Sequence, residues 1–178
     1  MTVRQLTTDQ LTGHEIEAIR RVLWAAFVGD EAFTETDWDH ALGGIHFLLE
    51  HDGRVVSHAS VVERRLWIED RPLRAGYVEA VATDPARQGQ GFGTQVIGDV
   101  TDHIRENFEI GALGTGRHAF YEQLGWETWR GPTFVRGPDG DRRTADEDGD
   151  ILVLRTPISP PFDPTTPLIC DWREGDVW

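Results

Sequence analysis

The residues best placed to do chemistry lie in one stretch, where a short apolar strand carries a carboxylate and leads into a glycine-rich turn. Glu79 is flanked within residues 78–82 by small and β-branched side chains, a composition typical of a half-buried strand. Its carboxylate could accept a proton from a substrate, or it could be a buried, salt-bridged glutamate. Asp84-Pro85 ends the strand, and apolar residues recur at helical spacing from Phe92 onward.

The turn between this strand and this helix, residues 88–93, predicts an anion site. Glycine permits φ > 0 and lets a ligand approach the backbone amides, and the positive end of the helix dipole lies at the same place. A phosphate or pyrophosphate is therefore the expected ligand. The alternatives are a Rossmann fingerprint, a P-loop and a glycine-rich helix entry without a ligand. Gly89, Gly91 and Gly93 are spaced two apart, which does not fit G-x-G-x-x-G, and no Gly-Lys-Ser/Thr is present.

What the turn does match is the pattern Gln/Arg-x-x-Gly-x-Gly/Ala, here Gln88, Gly91 and Gly93. The chain thereby resembles the acetyl-CoA-binding GNAT acetyltransferases. That resemblance implies an α+β fold, with a central, mostly antiparallel, twisted sheet flanked by helices and splayed at the acetyl-CoA strand. It also implies that acetyl-CoA is the co-substrate, that its pyrophosphate binds the turn, and that its pantetheine pairs with the preceding strand. The implied cofactor-binding residues are Val81, Ala82, Thr83, Gln88, Gly89, Gln90, Gly91, Phe92 and Gly93.

The predicted elements around this stretch form a single domain spanning residues 1–178. A capping box at Thr12 and Glu15 predicts the start of the first helix, and Thr36 is expected to cap a short second helix that ends at Leu42. Five prolines within 157–167 predict a stiff tail, residues 157–178, that packs over the body and contributes to the substrate site. The remaining predicted elements are strands at 3–6, 45–50, 54–68, 110–113, 126–135 and 151–155, the strand that carries Glu79, and a short helix at 117–124.

Length and cysteine content indicate how the chain is stabilised and in which compartment it is expected. A chain of 178 residues can bury a sizeable core without disulfides or metals. Cys170 is the single cysteine, which excludes an intramolecular disulfide and a structural Cys₂ or Cys₄ zinc site, and no His/Asp/Glu spacing suggests another metal site. The amino terminus lacks the apolar core of a signal peptide, so we expect a reducing, cytoplasmic setting.

The net charge of −14 argues against nucleic acid or an anionic membrane as a partner. Acidic residues cluster within 30–39, 139–150 and 171–178. Such clusters are usually solvated surface, but three of them in a protein with a predicted acyl-donor site suggest a cationic acceptor, because focused negative potential concentrates positive ligands.

Four further passages resemble one group of the superfamily, the aminoglycoside 2′-N-acetyltransferases. These passages are FTETDWDHALGGIH (33–46), GYVEAVAT (76–83), FYEQLGW (120–126) and CDWREGDVW (170–178). The resemblance spans the whole chain. It implies direct transfer of an acetyl group from acetyl-CoA to the 2′-amino group of aminoglycoside antibiotics, with resistance as the consequence, and a homodimer as the assembly.

The family pattern also implies a set of substrate contacts. Two departures from the pattern matter: Glu31-Ala32 lengthen the acidic loop, so Asp30 or Glu31 could make its contact, and residues 114–116 replace a serine-rich run, so Thr115 could supply a hydroxyl contact otherwise lost. The carboxylate that follows Trp178 is expected against a substrate ammonium. The implied substrate-binding residues are Asp30, Asp37, Glu79, Ala80, Gly114, Thr115, Glu147, Asp176 and Trp178.

Acetyl transfer to an amine sets three chemical needs. Glu79 could take the amine proton, directly or through water. The backbone N–H of Val81 could polarise the thioester oxygen, which in comparable sites contributes about 3–4 kcal/mol. Tyr121 resembles the family's general acid, which protonates the coenzyme sulfur, although a core tyrosine is the alternative. His46, His58 and His118 are better explained as polar core or surface residues than as bases.

The function hypotheses fall into different classes. The leading one is an aminoglycoside 2′-N-acetyltransferase. A second enzyme hypothesis is acetylation of another polyamine or amino sugar, and a third hypothesis is a non-catalytic protein that binds acyl-CoA or aminoglycoside.

Overall fold

The computed structural model describes residues 2–29 and 32–178, and within these ranges it contains ten strands and four α-helices. Short 3-10 helices lie at Thr8–Gln10, Pro85–Arg87 and Ala145–Glu147. In this described part of the chain, no helix is long and apolar enough to cross a membrane. The elements are β1 Val3–Thr7, α1 Gly13–Ala26, α2 Glu35–His40, β2 Ile45–His51, β3 Arg54–Ile68, β4 Arg71–Thr83, α3 Phe92–Asn107, β5 Ile110–Gly114, α4 His118–Glu122, β6 Glu127–Thr128, β7 Thr133–Gly137, β8 Gly140–Arg143, β9 Ile151–Arg155 and β10 Leu168–Asp171.

The chain forms two compact units, and β3, β4 and α3 each run from one unit into the other. The first unit comprises Met1–Val62 and Val78–Asp102. Here β1 pairs antiparallel with β2, and β2 pairs antiparallel with β3. Helix α1 begins at the predicted capping box, and its buried face includes Ile19 and Leu23, both fully buried. This face packs in one apolar cluster with residues of α2, β2 and β4, because apolar side chains at helical spacing must leave water together.

The second unit comprises Glu63–Tyr77 and His103–Trp178. Strand β5 lies between β4, to which it is parallel, and β9, to which it is antiparallel. Strand β6 pairs with the other edge of β9. Strand β10 lies between β3 and β7, antiparallel to the first and parallel to the second, and β8 follows β7 as a hairpin. Separate helices together with this mixed pairing confirm the predicted α+β class.

Two predicted boundaries were wrong. Helix α2 is capped by Thr34 rather than Thr36, because Asp37 stands three residues after Thr34 and closes a capping box with it. The single strand predicted at 126–135 is divided into β6 and β7. The interruption falls at Gly131-Pro132, where a Cβ on Gly131 would lie 1.9 Å from the carbonyl oxygen of Thr166 and where proline cannot donate to a ladder.

Candidate active site

Strand β4 bends at Ala80, directly after the candidate base. The φ angle of Ala80 is 51°, a left-handed value that residues other than glycine rarely adopt. This conformation costs about 1–2 kcal/mol relative to an ordinary one, so the surroundings must hold it. Glu79 and Val81, on either side, are partly exposed. A left-handed residue breaks the alternation of a strand, and it therefore sets the directions of the Glu79 side chain and the Val81 N–H. We refer to residues 79–81 as the Ala80 bend.

Polar side chains of β3 bind the backbone of β4 at and after this bend. Three carbonyl oxygens of β4 accept hydrogen bonds from side chains rather than only from a strand ladder. The donors and acceptors are Ser60 Oγ to Glu79 O (3.4 Å), His58 Nδ1 to Ala80 O (2.8 Å) and Ser57 Oγ to Ala82 O (3.1 Å). These contacts keep buried carbonyl groups satisfied where the strand departs from regular geometry.

The glycine turn has the conformation that anion binding requires. Gly89 and Gly91 have φ angles of 76° and 83°, and a Cβ placed on either would meet no atom within 4 Å. Helix α3 starts at Phe92, which is buried and lies with its ring centroid 5.2 Å from that of His51. The first N–H groups of a helix have no partner within that helix, so the start of α3 and the open glycine backbone offer donors to a phosphate. Gly93 lies in the first turn of α3.

The segment between β4 and the turn is fixed by local hydrogen bonds. The carboxylate of Asp84 accepts from the N–H of Ala86 at 2.9 Å and caps the 3-10 helix Pro85–Arg87. The side-chain amide of Gln88 donates to the carbonyl oxygen of Thr83 at 3.3 Å. The candidate cofactor residues from Val81 to Gly93 therefore follow one another along a single ordered path in the first unit.

Tyr121 lies in α4 of the second unit and is 5% exposed. Its ring meets the rings of Phe120 and Trp126 edge-on, at centroid distances of 4.9 and 6.2 Å. Burial raises the pKa of its phenol to about 12, although Arg117 acts in the opposite direction. The phenol therefore keeps its proton through the neutral range, which a proton donor must do.

Four carboxylates form an acidic group in the second unit: Asp146, Glu147, Asp150 and Asp176. Burial, reinforced by the negative charges of the other three, raises the pKa of Glu147. The side chain of His118 lies 3.5 Å from Asp150, as Nε2 to Oδ1. A cluster of negative charge of this kind favours a bound cation. The structure thus brings together two predicted substrate residues, Glu147 and Asp176.

The end of the tail is packed rather than frayed. Trp178 is 4% exposed, and its indole N–H donates to Thr144 Oγ1 at 2.9 Å. Its backbone N–H donates to Asp176 Oδ1 at 3.1 Å, and its backbone oxygen accepts from Arg173 Nη2 at 3.1 Å. Arg173 therefore supplies positive charge beside the oxygen for which the sequence predicted a substrate ammonium.

Arg64 and Cys170 hold the last part of the tail through its backbone carbonyl groups. Arg64 Nη2 donates to the carbonyl oxygens of Asp171 and Val177 at 2.9 and 2.8 Å. The thiol of Cys170 is buried and donates to the same Val177 oxygen at 3.1 Å, and burial raises the pKa of this thiol to about 11. Cys170 is therefore structural.

Other predicted substrate residues have local roles in the structure. The Thr115 hydroxyl accepts from the N–H of Arg117 at 3.0 Å, and Gly114 is exposed at the end of β5. Asp37 Oδ2 accepts from both the N–H and the hydroxyl of Thr34, each at 2.8 Å, so this carboxylate serves the α2 cap. Asp30, with Glu31, lies outside the described residues.

The sequence did not reveal that His58 contacts the Ala80 bend or that His46 contacts His58. Both are fully buried, with 0% exposure, as the polar-core interpretation allowed. The signal that could have found them is their position on two adjacent predicted strands among mostly apolar residues, because each buried polar side chain needs a hydrogen-bond partner.

Comparisons with known proteins show the family and the fold of this chain. Residues 7–129 match the acetyltransferase (GNAT) domain family. The chain is 42% identical to an aminoglycoside 2′-N-acetyltransferase of Mycolicibacterium fortuitum, over 99% of this chain and 92% of that protein. Two solved structures share the fold at low identity. A GNAT family N-acetyltransferase from Escherichia coli in complex with CoA has a TM-score of 0.64 and 17% identity, over 97% of this chain and 89% of that one. A GNAT family acetyltransferase from Brucella melitensis in complex with acetyl-CoA has a TM-score of 0.61 and 18% identity, over 94% of each chain.

The fold and the glycine turn therefore define a GNAT acetyltransferase, an acyltransferase enzyme. Within that class the chain belongs to the family of aminoglycoside 2′-N-acetyltransferases, as its full-length similarity shows. Both steps confirm the resemblance seen in the sequence.

Proposed function

We propose that this protein transfers the acetyl group of acetyl-CoA directly to the 2′-amino group of an aminoglycoside. The proposal is supported most by the full-length similarity to a relative of that name, together with the left-handed Ala80 bend on the strand that leads into the glycine turn. Aminoglycosides bind RNA through their amines, so acetylation of one amine removes a positive charge that binding uses. Resistance to the drug is the expected consequence.

The residues fit acetyl-CoA as the donor. The open, left-handed backbone at Gly89 and Gly91 and the start of α3 would bind the pyrophosphate, while residues 81–83 of β4 would pair with the pantetheine arm. When bound, acetyl-CoA supplies an activated thioester. Phe92 anchors the turn by its buried ring, so the amides remain in place before the ligand arrives.

Glu79 is proposed as the base. The acceptor amine is largely protonated at neutral pH and must lose a proton before its lone pair can attack. Glu79 is the first residue of the Ala80 bend, on a strand held by β3, so its carboxylate is positioned by a rigid element. The Val81 N–H, on the other side of the bend, is proposed to donate to the thioester oxygen as negative charge develops there.

Tyr121 is proposed as the hydrogen-bond donor to the departing sulfur. Its pKa of about 12 exceeds the ordinary thiol value of roughly 8.5, so complete transfer of its proton to a thiolate would be uphill by about 4–5 kcal/mol. A donated hydrogen bond stabilises the thiolate without that cost. We therefore expect Tyr121 to contribute less than Glu79.

The acidic group is proposed as the cation-binding part of the acceptor site. The pKa of Glu147 is raised by burial and by its acidic neighbours, and a bound ammonium would relieve that repulsion. Asp37, Ala80, Thr115 and Trp178 remain proposed substrate contacts, as do Asp30 and Gly114. We also propose a homodimer, a cytoplasmic location and one domain across 1–178 to which the tail contributes.

The decisive experiment measures coenzyme A thiol release with paired aminoglycosides that carry either a 2′-amine or a 2′-hydroxyl group. We expect turnover only with the 2′-amine, and NMR of the product should place the acetyl group on that nitrogen. Glu79→Gln should lower kcat by about 10²–10⁴-fold without changing acetyl-CoA affinity. Turnover of the 2′-hydroxyl compound, or acetylation at another nitrogen, would contradict the proposed regiochemistry. Binding without any thiol release would instead identify a non-catalytic binding protein.

A further inference from the structure

A hydrogen-bonded chain of buried side chains ends on the Ala80 bend. His58 Nδ1 lies 2.8 Å from the carbonyl oxygen of Ala80, and His58 Nε2 lies 3.0 Å from His46 Nδ1. His46 Nε2 lies 2.9 Å from Thr8 Oγ1, which in turn accepts from the N–H of Gly43 at 2.8 Å. All five residues belong to the first unit. We refer to Thr8, His46 and His58 as the histidine relay.

The acceptor at its end fixes the direction of every bond in the relay. A carbonyl oxygen can only accept, so His58 carries its proton on Nδ1. In a neutral ring Nε2 is then an acceptor, and His46 must donate to it from its own Nδ1. His46 Nε2 is consequently an acceptor as well, and the Thr8 hydroxyl donates to it. Each donor and each acceptor along the path therefore has one partner of the right kind.

Burial keeps the relay neutral. Both imidazoles are fully buried, and the ring of His46 also lies against Trp38, at a centroid distance of 6.0 Å. Burial lowers the pKa of His46 to about 4, and burial together with His46 lowers the pKa of His58 to about 3, despite the opposing effect of the bond to Ala80. Neither ring can therefore act as a base that holds a proton at neutral pH, and a role in positioning remains.

We propose that His58, held in one tautomer by His46 and Thr8, is a positioning residue for acetyl transfer that fixes the left-handed backbone of Ala80. The strain at Ala80 would otherwise be relieved by rotation to an extended conformation, which would redirect the Glu79 carboxylate and the Val81 N–H. The bond from His58 to the Ala80 oxygen opposes that rotation. Thr8 extends this support to the Gly43-Gly44 turn, where a Cβ on Gly44 would lie 2.0 Å from the Val61 carbonyl oxygen and where movement is correspondingly restricted.

This inference rests on the proposed function, and its test separates the two. Wild-type thiol release with a 2′-amino acceptor tests the function. His58→Leu, measured in the same assay, tests the relay: we expect kcat to fall about 10–100-fold, the effect of a displacement near 1 Å, with a much smaller change in acetyl-CoA affinity. His58→Asn is the matched conservative variant. Its amide nitrogen replaces Nδ1 as donor to Ala80, so kcat should remain within about threefold of wild type.

A second control separates positioning from loss of stability. Ile104→Ala removes a fully buried side chain of α3 in the second unit and should lower the free energy of unfolding by about 2–5 kcal/mol, with kcat unchanged at a temperature where the protein stays folded. His46→Leu should also lower kcat, but less than His58→Leu. Without His46, His58 can change tautomer, and only the molecules that carry the proton on Nε2 lose the bond to Ala80. Equal kcat for wild type and folded His58→Leu would overturn the proposal, as would equal losses in His58→Leu and His58→Asn.

One readout is independent of turnover. In nitrogen-15 NMR spectra of the intact protein, two of the seven histidines should be neutral with the proton on Nδ1 from about pH 8 to pH 5, and His46→Asn and His58→Asn should assign them. Protonation of either ring on Nε2 would refute the bond directions even if His58→Leu failed to fold.

Discussion

Acidification should lower the free energy of unfolding of this protein through His46 and His58, and the size of the loss follows from their pKa values. The folded-state pKa values are about 4 and about 3, against about 6.5 for an exposed histidine. A lowered histidine pKa means that the unfolded chain binds more protons below pH 6.5, so stability is complete above that pH and is lost as the pH falls. At pH 5, which is 1.5 units below the pKa of an exposed histidine, each of the two histidines lowers the free energy of unfolding by about 2 kcal/mol. The loss for the pair is about 4 kcal/mol, a large part of the stability of an ordinary domain.

The measurement is urea unfolding, followed by tryptophan fluorescence, at several pH values from about 7.5 to 5, for wild type and for the double variant His46→Asn/His58→Asn. Near pH 5 the wild-type free energy of unfolding should change by about 2.7 kcal/mol per pH unit more than that of the variant, the slope for uptake of two protons. His103, whose pKa burial also lowers, and Glu147, whose pKa is raised, are present in both proteins and cancel in the comparison. Parallel curves for the two proteins would refute the buried, neutral state of the pair.

Three further predictions concern the proposed ligands. Gly91→Val should weaken acetyl-CoA binding, measured by calorimetry, far more than acceptor binding, because its φ of 83° opposes a β-branched side chain; unchanged coenzyme affinity would exclude the turn as the pyrophosphate site. Tyr121→Phe should reduce kcat less than Glu79→Gln and most clearly at high pH, whereas a pH–rate profile that matches wild type would favour a core tyrosine. Asp176→Asn should raise KM for a polycationic acceptor about tenfold and lower the pKa of Glu147 towards its ordinary value; a KM that does not move would remove the acidic group from the acceptor site.

Patterns with a local physical cause were predictable from the sequence. The start of α1 follows from Thr12 and Glu15, whose reciprocal hydrogen bonds need only four consecutive residues. The left-handed glycines follow in the same way from a run that only glycine tolerates. The family resemblance added the catalytic candidates, which spacing alone would have left ambiguous.

Features that depend on partners distant in sequence were not predictable. Strand β10 forms because β3 and β7 offer edges to it, and its four residues carry no strong signal of their own. The left-handed conformation of Ala80 cannot be predicted from an alanine in the sequence, because it depends on His58, 22 residues away. Thr34 and Thr36 are both followed three residues later by an aspartate, so the sequence alone does not decide between them, and the observed cap at Thr34 depends on where the helix can pack.

The state of Cys170 has a practical consequence for following the reaction. The pKa of this thiol is near 11, so about one molecule in a thousand would carry the reactive thiolate at pH 8 even if the sulfur were accessible, and the sulfur is buried. An aromatic disulfide reagent added to the mixture should therefore report only the thiol released from the coenzyme, without background from the protein. The same reagent, left with the protein alone, should react only when β10 separates from β3 and β7. The rate at which the reagent labels Cys170 therefore measures how often this part of the molecule opens.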